Sequence, residues 1–157
     1  MIQRTKPFAR TLKALNALLL GLILTCAASS AQAAGFASPS GNIRCYVDIY
    51  SAAPMDEVGL VCLVFSADWD LPPDYGDDDP TCDLDRTRTI LLPRDGVGSA
   101  RWTCHGDVFW PAPLGAISYG SEWSLFGFEC DMATDGVRCT NPQGDGFHVR
   151  RADVTFN

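Results

Sequence analysis

Three groups of residues in this sequence have types and spacings that can do chemistry. Cys104-His105-Gly106-Asp107 sets an imidazole two residues from a carboxylate, the pairing that general acid/base catalysis uses. The run Asp68-Trp69-Asp70-Leu71-Pro72-Pro73-Asp74-Tyr75-Gly76-Asp77-Asp78-Asp79, continued by Asp83 and Asp85, gathers the hard oxygen donors that calcium takes. Phe109, Trp110, Tyr119 and Trp123, set among Pro111, Pro113, Gly115 and Gly120, offer rings that stack on sugars or anchor a protein partner.

Each group also has a plainer explanation. His105 and Asp107 fit a turn after a disulfide-bonded strand, with Gly106 allowing the bend and Asp107 accepting from nearby amides. That reading is preferred to a small envelope hydrolase, because Tyr119-Gly120-Ser121-Glu122-Trp123 lacks the G-x-S-x-G elbow and no other nucleophile is identifiable. The acidic run lacks the D-x-D-x-D-G spacing with a glutamate at the twelfth position. A solvated loop centred on Asp77, Asp78 and Asp79, able to dock against a basic protein, is therefore preferred to a calcium-stabilised structural site. No metal or other cofactor is expected. Trp110, Tyr119 and Trp123 divide nearly evenly between capping a small core and forming a binding surface. His148 alternates with Phe147 and Val149, which turns it outward, and Arg150 and Arg151 read as surface cations offsetting an acidic body.

These groups must be positioned by a domain smaller than the 157-residue chain. Arg4, Lys6, Arg10 and Lys13 precede an apolar run from Ala14 to Ala28, and Ala31-Gln32-Ala33 follows it. A cationic head, a short apolar stretch and a small-x-small site make a cleaved signal peptide over residues 1–33. The run is shorter than the roughly 20 residues that span a bilayer, so no membrane span is expected in the mature form. Residues 34–157 keep 8 Arg, no Lys and 19 acidic residues, a net charge of −11 against −7 for the whole chain. Such a body repels phosphate backbones, which excludes nucleic acid as a partner, and favours basic ones.

Six cysteines remain, an even number suited to three disulfides in an oxidising compartment, the periplasm or the exterior. No C-x-x-C pair occurs, and the two histidines are far apart in sequence, so a metal site is disfavoured. From Asn42 to Tyr50, Ile43, Cys45, Val47 and Ile49 share one face. Folding the apolar run Val58 to Phe65 back on this strand opposes Tyr50 to Glu57 and Cys45 to Cys62. In the same way, a loop from Ala133 to Gly136 opposes Met132 to Val137 and Cys130 to Cys139, with Gly136 at a left-handed position. Elimination leaves Cys82 with Cys104, around a hairpin of Arg86 to Leu92 and Ser99 to Cys104 in which Cys104 faces Thr87. Each bridge closes a loop of roughly 10 to 23 residues, a contribution of about 2 to 4 kcal/mol.

Further strands are expected over Ser124 to Cys130, with Phe126, Phe128 and Cys130 on one face, and over Val137 to Thr140, Phe147 to Arg150 and Asp153 to Phe156. Two irregular stretches, Asp68 to Asp85 and Phe109 to Trp123, interrupt them. Short segments parted by Gly, Pro, Asn and Asp, without sustained helical periodicity, predict an all-β fold, a small disulfide-stapled antiparallel sandwich or barrel.

The segments Phe36-Ala37-Ser38-Pro39-Ser40-Gly41-Asn42-Ile43-Arg44-Cys45, Cys104-His105-Gly106-Asp107, Tyr119-Gly120, Gly136-Val137-Arg138-Cys139-Thr140-Asn141 and Gly144-Asp145-Gly146-Phe147 occur in that order. Together they resemble an uncharacterised family of secreted bacterial domains built around F-x-S-P-S-G-N-I-x-C and G-V-x-C-x-N…G-x-G-F-x-x-x-R. The sequence departs from the family pattern at Arg150, where a small polar residue usually precedes the final Arg151, and in its acidic Asp77-Asp78-Asp79 loop. The resemblance implies export and a disulfide-bonded domain and carries no activity to transfer. The expectation is a non-enzymatic binding module of the cell envelope that recognises a protein, in its sharper form a basic one, or a glycan. Thiol titration of the denatured, unreduced mature protein is expected to find no free cysteine; more than one free thiol contradicts the three bridges.

Overall fold

The computed structural model describes residues 34–48, 58–71, 81–105 and 114–157, all within one compact unit, Gln32–Asn157. Residues 1–33, with the expected signal peptide, and the Tyr50 to Glu57 pairing lie outside the described residues. Among the described residues, ten strands form two antiparallel sheets. The first holds β1 (Gly35–Ala37), β2 (Ile43–Val47), β3 (Leu60–Val64), β4 (Asp85–Leu92) and β5 (Ser99–His105) in chain order. The second holds β6 (Ser121–Leu125), β7 (Phe128–Ala133), β8 (Gly136–Thr140), β9 (Gly146–Val149) and β10 (Val154–Phe156), again as neighbours in sequence. No helix among the described residues is long and apolar enough to cross a membrane.

The cysteines decide how the sheets meet. Cys45 pairs with Cys62 directly across β2 and β3, and Cys130 with Cys139 across β7 and β8, at the registers that alternation predicts. All four are at most 2% exposed, and the sulfurs of Cys45, Cys62 and Cys139 lie within 4.8 Å of one another. One disulfide from each sheet thus stacks on the other at the centre of a sandwich. Phe36, Phe128 and Phe147 fill the space around them, and the Trp123 ring packs 5.2 Å from that of Phe36.

The third bridge, Cys82–Cys104, is as expected, but the β4–β5 register is one residue away from the expected one. Cys104 faces Arg86, and Thr87 faces Thr103. Because side chains alternate, the expected register would turn Arg101 into the core beside Ile90, where Ala100 now sits. On the same inward row, Arg88 is held between the rings of Trp69 and Trp102, at 5.4 and 4.7 Å. A second correction concerns Ser124 to Cys130, which is not one strand. Phe126 and Gly127 both have positive φ, 52° and 83°, and form the two-residue turn between β6 and β7. Phe126 is therefore 41% exposed rather than aligned with Phe128. The short β1 was not anticipated; a Cβ on Gly35 would meet the Cys45 carbonyl oxygen at 2.2 Å, so only glycine admits that close pairing.

The two ends of the sandwich are tied by polar contacts. At one end, buried Asn141 donates from Nδ2 to the carbonyls of Pro93 and Gly96, both at 3.0 Å, and its Oδ1 accepts from the amides of Gln143 and Asp145. Arg94 donates to the Phe126 carbonyl at 2.6 Å at the same end. At the other end, the Asp68 amide donates to the Arg151 carbonyl and the Trp69 indole to the Arg150 carbonyl. Substituting Asn141→Ala strands four backbone groups, and chemical denaturation should show a loss of about 3 kcal/mol. A loss below about 0.5 kcal/mol, the scatter of ordinary surface changes, would contradict this role.

Candidate functional site

Among the described residues, the structure disperses the groups singled out in the sequence. His105 ends β5, half-buried, with its Nε2 2.6 Å from the Thr87 hydroxyl of the neighbouring strand. Asp107, Trp110 and Asp77 to Asp79 lie outside the described residues. Tyr119 is 53% exposed, whereas Trp123 is 5% exposed in the core, so these two rings do not share a platform. The three clustered sulfurs of Cys45, Cys62 and Cys139 all belong to disulfides, which leaves no thiolate to hold a metal. Asp68 and Asp70, at the start of the acidic run, pair with Arg151 and Arg88.

The outer face of the second sheet carries a feature not singled out in the sequence. β6 and β7 alternate around Trp123, Phe128, Cys130 and Met132, which point inward, and so turn Glu122, Ser124, Glu129 and Asp131 to solvent. The register places Glu122 directly opposite Asp131, and Asp131 opposite Arg138 on β8. Ser124, Glu129 and Thr140 form the next row. The two rows bound a shallow basin of about 520 Å³. Like charges directly opposed on adjacent strands are destabilising, and the cation in the row, though attracted by Asp131, makes its hydrogen bonds to another carboxylate. Arg138 donates to both Asp135 carboxylate oxygens, at 3.1 and 2.7 Å. The signal for this face was present in the alternation of Ser121 to Leu125 and Phe128 to Ala133. It was hidden by reading Phe109 to Trp123 as irregular and Phe126 as a strand residue.

Beyond that basin the sheet surface is neutralised pairwise. His148, on the outward side of β9, donates from Nε2 to the Asp135 carbonyl at 3.2 Å. Arg150 makes two hydrogen bonds to Asp153, at 2.8 and 2.5 Å. The hydrogen bonds from Arg138 and Arg150 hold the Asp135 and Asp153 carboxyls below their ordinary value of 3.8.

With this geometry established, the chain is placed by its kinship. It belongs to a family of unknown function (DUF6636), whose match runs over residues 14–156. Comparison with curated proteins and with solved structures finds no match. Family membership thus agrees with the expected uncharacterised domain family, and the fold is shown by the structure itself.

Acid titration tests the two carboxylate pairs. A carboxyl whose pKa is lower in the folded chain contributes stability that is present above 3.8 and fades as the pH falls through the lower folded value. Asp135→Asn should therefore lower the melting temperature slightly at neutral pH, and the difference from the parent should vanish in the acid below the ordinary carboxylate range. A difference that persists unchanged in strong acid would mean that the pair is not its source.

Proposed function

We propose that the protein is an exported, non-enzymatic binding module of the bacterial cell envelope, working in the periplasm or the medium, and that it docks a basic protein partner. The observation that carries this reading is the outer face of β6 and β7, where Glu122, Glu129 and Asp131 stand together while Arg138 is engaged by Asp135. Cations brought by a partner would relieve the opposed carboxylates, and the net charge of −11 over residues 34–157 would steer such a partner toward the domain. A broad sheet face suits a protein surface better than a small ligand. Three disulfides and the cationic, apolar segment within residues 1–33 support export. An inhibitor of a basic cell-wall hydrolase is the most specific form of the proposal.

Calorimetric titration against a basic cell-wall hydrolase such as lysozyme is the direct test. The dissociation constant should rise steeply with salt, and the triple variant Glu122→Gln, Glu129→Gln, Asp131→Asn should bind about tenfold more weakly or worse. A constant that holds across an about tenfold range of ionic strength, or a triple variant that binds as tightly as the parent, would refute docking through this face.

A further inference from the structure

A cleft of about 530 Å³ opens at one end of the sandwich, and Asp135, whose carboxylate holds Arg138 of the acidic basin, belongs to its lining. That volume is in the range of sites that hold small organic ligands. Its floor is apolar: Ile43 from β2, Met132 from β7 and Val137 from β8 are all at most 6% exposed. Its rim is polar and comes from four separate turns, bringing together Ser66, Tyr119, Thr134 and Arg151.

The rim is held in place before any ligand arrives. Asn42 bonds the Ser66 backbone at two points, donating to its carbonyl at 2.8 Å and accepting from its amide at 2.7 Å. The turn that presents Tyr119 is closed by the Ser121 amide on the Ser118 carbonyl at 3.1 Å, and Gly120 takes φ +81° there. The Gly120 amide then donates to the Met132 carbonyl at 2.7 Å, fixing that turn to the cleft floor. Arg151 is anchored through its carbonyl and its Nε to Asp68. Among the described residues, the hydroxyls of Ser66, Thr134 and Tyr119 have no hydrogen-bond partner.

We propose that this cleft binds a short neutral saccharide. The C–H face of a pyranose ring suits an apolar floor beside an exposed tyrosine ring, and its hydroxyls suit a rim of three hydroxyls that also holds Asp135, Arg150 and Arg151. A neutral ligand is also the kind that the net negative charge does not repel. Preorganised groups on three tied turns lower the ordering cost of binding so small a molecule.

The test is a two-dimensional NMR titration of the ¹⁵N-labelled, disulfide-intact protein with chitotriose, cellotriose and maltotriose at millimolar concentrations. At least one should give saturable shifts at Ser66, Thr134 and the 118–121 turn. Tyr119→Ala and Thr134→Val, at exposed positions, should keep the parent's melting temperature while Tyr119→Ala weakens binding about tenfold. Absence of cleft shifts with all three sugars, shifts confined to another surface, or unaltered affinity in Tyr119→Ala would overturn the site. The triple variant of the acidic face should bind the sugar like the parent, so either proposal can fail without the other.

Discussion

Two cross-strand disulfides, stacked on one another at the middle of the sandwich, are the constraint from which the remaining architecture follows. A bond between directly opposed residues locks a pairing register, and in a strand a locked register assigns a face to each residue on either side. Cys45–Cys62 thus turns Ile43, Val47, Leu60 and Val64 inward, and Cys130–Cys139 does the same for Phe128, Met132 and Val137. Because the Cys139 sulfur of one sheet lies within 4.8 Å of the Cys45 and Cys62 sulfurs of the other, each hairpin is centred over the other, and the outer strands add to both sides of that point. A domain this small has little core to spare, and covalent staples at its centre compensate for that.

With the interior so filled, the surface is distinguished by where cations are already engaged. Arg88 is enclosed by two tryptophans, Arg94 holds the Phe126 turn, and Arg138, Arg150 and Arg151 each meet a carboxylate. An excess of negative charge can therefore gather on a face rather than being averaged away, and the Glu122, Glu129 and Asp131 rows are such a place. The turns that use these cations are the same ones that tie the ends of the sandwich together. Charge distribution and fold closure are in this way two aspects of one set of contacts.

Much of the framework was legible in the order of residues. Alternation around Cys45 and Cys139 predicted both central bridges and both registers, because period-two patterning is a local property of a strand. The third hairpin was misjudged by one residue: its turn is shaped by contacts with the other sheet, Asn141 on the Pro93 and Gly96 carbonyls, 48 and 45 residues away, and Arg94 on the Phe126 carbonyl, 32 residues away. The β6–β7 turn was missed because a phenylalanine at positive φ carries none of the usual turn chemistry. That one omission concealed the acidic face. Of the described rings that the sequence singled out for binding, Tyr119 is exposed, on a turn fastened to β7, and Trp123 is buried.

The sequence by itself determined the class of fold, the cysteine pairing and the inward faces of the central strands, since these depend on composition and on spacing within one or two strands. Tertiary structure decided the rest. Among the described residues it set which carboxylates gather on one face, which rings are buried, and that Ser66, Tyr119, Thr134 and Arg151 share one cleft. Those outcomes depend on turns from distant parts of the chain meeting at the ends of a closed sandwich, and no local periodicity encodes which turns will meet.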